Sequence, residues 1–228
     1  MPGLTPPFVI AEIFVGILGA FYGGLLLTSL GWAGYAVGVV AGLLWAALVA
    51  GVSAHLVRSS SGEARARLAQ SSVAAAILIV GLMTGEGFMY NWMMAAALGQ
   101  PTASSQILSA LMGPAVPFFI ALNSVMELLL ATLILMWNWN SGSWRRALVL
   151  TAVLVYLIMR VWTYLVFAEP RVGIAQHSLT AADIEWFRRT LAGDYRIFMD
   201  AVALICLTVA SAIPVGASAS FSKDAERA

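Results

Sequence analysis

Apolar residues in this chain come in unbroken blocks of about 20, and this feature limits the possible folds more than any other. About 20 residues is the length that an α-helix needs to cross ~30 Å of hydrocarbon at 1.5 Å per residue. Of the 228 residues, 61% are hydrophobic and only 10% are charged, whereas a soluble domain carries roughly a quarter charged residues. The sequence therefore predicts an all-α, polytopic membrane helical bundle.

Six apolar blocks are present, and we expect each to be a transmembrane helix. The predicted spans are residues 8–30, 34–57, 73–98, 113–137, 147–168 and 197–215. We interpret residues 1–228 as a single membrane domain with three parts, a glycine-rich helical hairpin (1–57), a four-helix unit with buried polar residues (73–215) and a polar tail (216–228). A polar loop, Arg58 to Gln70, is predicted to join the hairpin to the four-helix unit.

Lysine and arginine are distributed unevenly between the two sides of this bundle. Loops 58–72 and 138–146, together with the tail, hold seven of them, whereas the first and third loops hold none. Because cytoplasmic loops carry an excess of Lys and Arg, we expect an integral protein of a bacterial inner membrane with both termini cytoplasmic. The fifth loop, 169–196, is the exception, since it carries four arginines accompanied by four acidic residues.

The fifth loop also contains the pattern of a short amphipathic helix. Thr180 can cap its N-terminus with Asp183 three residues later, and apolar residues such as Ile184 and Phe187 then share one face. We expect this helix to lie on the outer membrane surface as a lid. A second short amphipathic segment, around 104–111, is expected on the same side.

Small residues recur at every fourth position of the second span, and Gly34, Gly38 and Gly42 begin the series. This spacing lets helix backbones approach closely in lipid. Packing of the hairpin onto itself explains the pattern, and so does an interface with a homodimer or membrane-complex partner. In both cases we expect the hairpin to be structural.

Ionisable side chains interrupt the apolar blocks of the last four spans. Glu86, Glu127 and Arg160 lie near the middle of the third, fourth and fifth spans. Asp200 enters the membrane with the sixth span, and Asn123 lies one turn before Glu127. Each charge at the bilayer centre costs ~2.5–3.5 kcal/mol, so we expect these groups to face the bundle interior and pair.

This pairing has two interpretations. In the first, the arginine only neutralises a carboxylate and holds helices together. In the second, the group forms a polar pocket that moves protons. Two glutamates and one arginine leave one carboxylate without a cation, which favours the pocket. We predict Glu86, Glu127 and Arg160 as catalytic residues, with Glu127 as the partner of Arg160 and Asn123, and Glu86 as the free acid. Neighbouring polar and aromatic side chains are predicted to bind the substrate: Tyr90, Asn123, Tyr156, Tyr164 and Asp200.

Several other functions are disfavoured by composition. A net charge of +1 and a single lysine argue against nucleic-acid binding, and the lone Cys206 argues against paired-thiol chemistry. His55 is predicted at the cytoplasmic end of the second span and His177 in the outer fifth loop. No imidazole or thiolate is therefore available at mid-depth for iron, copper or zinc. We therefore predict no metal and no cofactor, with carboxylate-only ligation by Glu86 and Glu127 as the remaining alternative.

Short motifs are spread through residues 81–212. They are Gly81-Leu82-Met83-Thr84-Gly85 with Phe88 and Tyr90, then Asn123, Arg145-Arg146, Glu169-Pro170, and Trp186-Phe187-Arg188-Arg189 leading through Arg196 into the last span. In these motifs the chain resembles the anthrone-oxygenase-like family of small four-helix membrane proteins. Some members oxidise polycyclic anthrones to quinones. The resemblance implies that Glu86 or Glu127 removes a C–H or phenolic proton, that Arg160 stabilises the anion, and that the resulting carbanion reacts with O₂.

Our leading hypothesis is a small integral-membrane oxidoreductase that uses a buried carboxylate as base. Its expected partners are membrane lipid and a hydrophobic aromatic or lipidic small molecule. A proton-coupled transporter or channel is the second hypothesis, and inverted repeats would favour it. A structural subunit of a larger membrane complex is the third.

Overall fold

The computed structural model describes residues 5–100, 105–113, 115–167, 180–191 and 195–215. Within these ranges the chain is mostly helical and contains no strand, which confirms the all-α prediction. The helices are α1 (Pro6–Leu26), α2 (Trp32–Ser59), α3 (Gly62–Leu98), α4 (Ser105–Met112), α5 (Ala115–Asn138), α6 (Ser143–Phe167), α7 (Ala181–Leu191) and α8 (Arg196–Ala212). The predicted tail, 216–228, and residues 168–179 of the fifth loop lie outside the described residues.

Among the described residues, five helices are long and apolar enough to cross a membrane: α1, α2, α3, α5 and α6. They correspond to the first five predicted spans. The sixth predicted span forms α8, which has 17 residues and is the shortest of the six. The number of six spans therefore stays a prediction.

The hairpin helices α1 and α2 are in direct backbone contact along their glycines. A Cβ atom built on Gly38 would lie 2.0 Å from the carbonyl oxygen of Gly19, and one on Gly23 would lie 2.1 Å from that of Gly34. These distances leave no room for any side chain, so only glycine fits at these positions. The small-residue stripe of α2 is consequently buried against α1, within one chain.

The predicted loop from Arg58 to Gln70 is wrong, because α2 and α3 are separated by only two residues. Ser61 caps α3 by accepting a hydrogen bond from the backbone N–H of Ala64 at 3.2 Å. In the first turn of α3, Glu63 forms an ion pair with Arg67, which lies one turn later, at 2.5 Å. Polar residues that are good helix formers thus extend the third span by about three turns beyond its apolar part.

Helices α5 and α6 each contain a π-helical turn, at Met126–Leu130 in α5 and at Thr163–Phe167 in α6. Such turns are rare and occur frequently at functional sites. Within the first of them, the carbonyl oxygen of Leu128 accepts a hydrogen bond from Nε1 of Trp45 in α2 at 2.7 Å. The hairpin is therefore attached to α5 at this turn.

One apolar core joins the hairpin to the remaining long helices. Phe14 and Leu18 of α1 are buried in the same cluster as Val80 of α3, Ile134 of α5 and Tyr156 of α6. The hairpin therefore contributes to the interior of the bundle.

A second, smaller core lies at the C-terminal end of α3. Leu98 is buried there together with Leu108 of α4 and Phe187 of α7, so the two short amphipathic helices pack at the same end of the bundle. Helix α7 begins with the expected cap, in which Oγ1 of Thr180 donates to Oδ2 of Asp183 at 2.6 Å. This hydrogen bond and a second from the Thr180 backbone lower the pKa of Asp183. The helices are thus found where the sequence predicts them, and the lid function stays a prediction.

Candidate functional site

A buried ion pair lies at the centre of the bundle. Glu127, in the π-helical turn of α5, is 0% exposed, and the Arg160 side chain of α6 is 10% exposed. Nε of Arg160 donates to Oε1 of Glu127, which is the pairing that the sequence predicts. Removing one member of such a pair leaves an uncompensated buried charge.

Two tyrosine hydroxyls complete the coordination of the carboxylate. Tyr22 donates to Oε2 of Glu127 at 2.6 Å and Tyr164 donates to the same oxygen at 3.1 Å. The Tyr164 hydroxyl also accepts a hydrogen bond from Nη2 of Arg160 at 2.8 Å, and the guanidinium carbon lies 4.7 Å from the centroid of its ring. We call Tyr22, Glu127, Arg160 and Tyr164 the carboxylate cluster.

Tyr22 belongs to the hairpin, and our sequence analysis did not identify it. Its hydroxyl also lies 3.4 Å from Oγ of Ser124, and the preceding Phe21 stacks on Tyr164 with centroids 5.1 Å apart. One signal in the sequence could have indicated Tyr22. It lies between Gly19 and Gly23, which mark a helix face that approaches its neighbours closely. The hairpin is therefore part of the site, contrary to the purely structural role predicted for it.

Asn123 does not bind Glu127, although the two are one turn apart. Its Oδ1 accepts a hydrogen bond from the Tyr156 hydroxyl at 2.8 Å, and its Nδ2 donates to the carbonyl oxygen of Phe119 at 2.6 Å. Both Asn123 and Tyr156 are buried. The predicted Asn123–Glu127 contact is thus replaced by a separate polar pair beside the cluster.

The carboxylate cluster borders a groove of about 930 Å³ between the hairpin and helices α5 and α6. Most of its lining is apolar, and polar side-chain atoms come from a few residues: Tyr22, Trp45, Tyr90, Asn123, Ser124, Arg160, Thr163 and Tyr164. Glu127 lies behind the two tyrosines and does not itself line the groove. A volume in the range of ~300–1,000 Å³ with few polar groups is typical of small-molecule sites.

A second, much smaller cavity of about 50 Å³ lies between α3, α6 and α8. Its polar lining includes Asn91, Asn123, Arg160, Arg196 and Asp200. Both spaces share part of their lining, so the small cavity adjoins the groove. The shared residues are Tyr90, Phe119, Asn123, Arg160 and Thr163.

Most of the predicted site residues come together. Arg160, Tyr164 and Glu127 form one hydrogen-bonded network, and the Asn123–Tyr156 pair adjoins it. The remaining two substrate-binding candidates, Tyr90 and Asp200, line the small cavity.

Glu86 is not brought into this network. It is half-exposed, lines neither space, and makes no hydrogen bond or ion pair with the described residues. Met83, Gly87 and Tyr90 form the face of α3 that lines the small cavity, and the helical period places Glu86 beside that face. Among the described residues, no group of three or more His, Cys, Asp or Glu comes together to hold a metal ion.

A second buried arginine, Arg145, was predicted to be a loop charge, and that prediction is wrong. It is 0% exposed at the start of α6. Its donors bind Oδ1 of Asn138 at 2.8 Å, Oε1 of Gln70 at 3.1 Å, and the carbonyl oxygens of Ala210 and Ile213 at 2.9 and 2.6 Å. The two carbonyls belong to the C-terminal end of α8, where helices leave acceptors unpaired and favour a positive charge.

A helical bundle of long apolar helices with a buried ion pair facing a lateral groove fits an integral membrane protein. Comparison of the chain with protein families, curated proteins and solved structures finds no match. The resemblance to the anthrone-oxygenase-like family therefore stays a prediction.

Proposed function

We propose that this chain is an integral membrane protein that binds a hydrophobic aromatic or lipidic molecule in the lateral groove and acts on it by proton transfer. One observation carries the proposal. The hydroxyls of Tyr22 and Tyr164 both donate to the Glu127 carboxylate, and both side chains line the groove. Proton-transferring groups therefore border a space of the right size and polarity for such a molecule.

The groove residues would have different roles in binding and proton transfer. The apolar walls hold the hydrocarbon part of the ligand, and a ligand oxygen can reach the Tyr22 or Tyr164 hydroxyl. A proton leaving an acidic C–H or phenolic O–H passes to the carboxylate cluster, with the tyrosine hydroxyl as the point of contact. Arg160 compensates the negative charge that develops. The reaction of the resulting carbanion with O₂ is the further step that the family resemblance implies.

The finer arrangement in the membrane is also part of the proposal. We propose α8 as a sixth span, because its 17 residues reach about 26 Å at 1.5 Å per residue. With both termini cytoplasmic, α7 lies on the outer side. Packing of Phe187 in one cluster with Leu98 and Tyr90 supports a lid near that end of the site.

A proton-coupled transporter is the second candidate, and one observation favours it. Arg160 borders both the groove and the small cavity, and a residue in such a position can be reached from two sides. Uptake of the ligand into vesicles driven by a proton gradient, with no chemical change of the ligand, would favour transport over catalysis.

The proposed function is tested with anthrone as the probe and the same substitution at both glutamates. Purified protein in detergent should bind anthrone saturably and accelerate its O₂ uptake. Glu127→Gln should lower the rate by about 10²–10⁴-fold, the usual contribution of a general base. Glu86→Gln is the matched control and should keep the rate. The proposal would be contradicted if Glu127→Gln accelerated O₂ uptake as fast as the wild type. It would also be contradicted if the wild type did not bind anthrone saturably.

A further inference from the structure

Arg160 has hydrogen-bond donors that its protein partners do not use. A guanidinium carries five N–H groups. Nε donates to Glu127 and Nη2 to Tyr164, which leaves three N–H groups, including both on Nη1, without a hydrogen bond to any described residue. The side chain is 10% exposed. A buried charged donor without an acceptor is unfavourable, so an acceptor for these groups is expected.

The small cavity offers a place for that acceptor. Its volume is about 50 Å³, and one water requires ~10–15 Å³ and two to four polar partners. Asn91, Asn123 and Asp200 line the cavity together with Arg160. There is room and polarity for about three waters.

The groove, which also borders Arg160, is more strongly apolar than the small cavity. Its lining is mostly apolar, with contributions from Leu26, Val37 and Ile120. Apolar spaces exclude water, whereas polar ones retain it. Arg160 therefore borders one space with room and polar partners for water and one space that is almost entirely apolar.

We propose that the cavity between α3, α6 and α8 is a water-binding site that hydrates the unused N–H groups of Arg160 from the α8 side. The bound water completes the hydrogen bonding of the guanidinium, and it is the medium through which the carboxylate cluster exchanges protons without wetting the groove. The hydration itself is independent of any ligand, whereas the proton exchange rests on the proposed function.

Radiolytic footprinting of the purified protein tests the hydration. X-rays convert bound water into hydroxyl radicals, which oxidise the nearest methionine sulfurs. Met83 and Met159 line the cavity and are only 3% and 4% exposed, whereas Met94 and Met126 are 0% and 1% exposed and line neither space. Met83 and Met159 should be oxidised severalfold faster than the two control methionines. Equal rates at all four would overturn the proposal.

A cavity-filling variant sharpens the test. Gly87 lines the cavity, and a Cβ atom there would lie 3.9 Å from Cγ1 of Ile197, an ordinary contact. In Gly87→Leu, the oxidation of Met83 and Met159 should fall to the rate of the controls. Asn91→Leu serves the same purpose if Gly87→Leu does not fold. A folded variant that keeps the wild-type contrast would overturn the proposal.

Anthrone binding separates this inference from the proposed function. Saturable binding without a footprinting contrast would reject the water site alone. A footprinting contrast without binding would reject the proposed function alone.

Discussion

Arg145 and Arg160 are both buried in α6, about 22 Å apart at 1.5 Å per residue, yet their surroundings differ. All three nitrogens of Arg145 donate to uncharged oxygens, which belong to α3, α5 and the end of α8. Arg160 instead has a carboxylate and a phenol as partners, keeps Nη1 without a described acceptor, and borders two cavities. A buried arginine whose three nitrogens all have acceptors in the protein holds helices together, whereas one with a free nitrogen beside a cavity can also meet a ligand or water.

The largest expected effect is at Arg145. Arg145→Met removes five hydrogen bonds that the guanidinium donates, each worth ~1.5–3 kcal/mol because the donor is charged, so the free energy of unfolding should fall by about 5 kcal/mol or more. Thermal unfolding of the purified protein in detergent measures this loss. Arg146→Met is the matched control, because its side chain is exposed, and its effect should stay within ~0.5 kcal/mol. Equal stability of the two variants would remove the structural role of Arg145.

Arg160→Met is expected to lower the free energy of unfolding by about 3–5 kcal/mol, because it leaves the Glu127 charge buried and unpaired. Adding Glu127→Gln should restore most of that loss, since the neutral amide needs no cation. Arg145 has no carboxylate partner among the described residues, so no single second change should rescue Arg145→Met. A double variant as unstable as Arg160→Met alone would show that the ion pair is not the reason for the loss.

Gly38→Ala tests the hairpin, with an expected cost of about 1–3 kcal/mol from overpacking. Its Cβ atom would lie 2.0 Å from the carbonyl oxygen of Gly19, so the two helix backbones must separate. Gly51→Ala is the control, because a Cβ atom there meets nothing within 4 Å, and a gain of up to ~1 kcal/mol is expected from the lower chain entropy of alanine. Gly38 also lines the groove, so Gly38→Ala should weaken anthrone binding as well. Unchanged stability and binding would mean that the close approach of the helices is not required.

The smallest effect is expected at the start of α7. The pKa of Asp183 is lowered by hydrogen bonds from the hydroxyl and the backbone N–H of Thr180. A lowered pKa in the folded state means that this stabilisation is present above the unfolded pKa of ~3.9 and is lost as the pH falls through the folded value. Thr180→Ala should therefore lower hydrogen-exchange protection of α7 amides at neutral pH and reduce its further decrease in acid. The same protection in both proteins at every pH would contradict this interpretation.

The five long apolar helices could be predicted because apolar length alone defines them, and the Glu127–Arg160 pair could be predicted because buried charges must be matched. The features that were missed depend on contacts distant in the chain. Arg145 lies in a polar stretch of the sequence, and most of the oxygens that accept its hydrogen bonds belong to α3 and to the end of α8, far away in the chain. Tyr22 carries no charge within its apolar block, and its role depends on how the hairpin packs against α5. The π-helical turns have no signature that our sequence analysis could use.

The most direct test of the functional role of the carboxylate cluster is the affinity for anthrone of the double variant Arg160→Met with Glu127→Gln. This variant keeps the apolar walls of the groove and should fold, because no buried charge is left unpaired. Fluorescence titration of wild type and variant, with the thermal unfolding of each measured in the same detergent, gives the affinity at known stability. We expect a folded variant whose Kd is raised at least about tenfold, a difference of ~1.4 kcal/mol, and which does not accelerate O₂ uptake. A folded variant with the wild-type Kd and rate would contradict it.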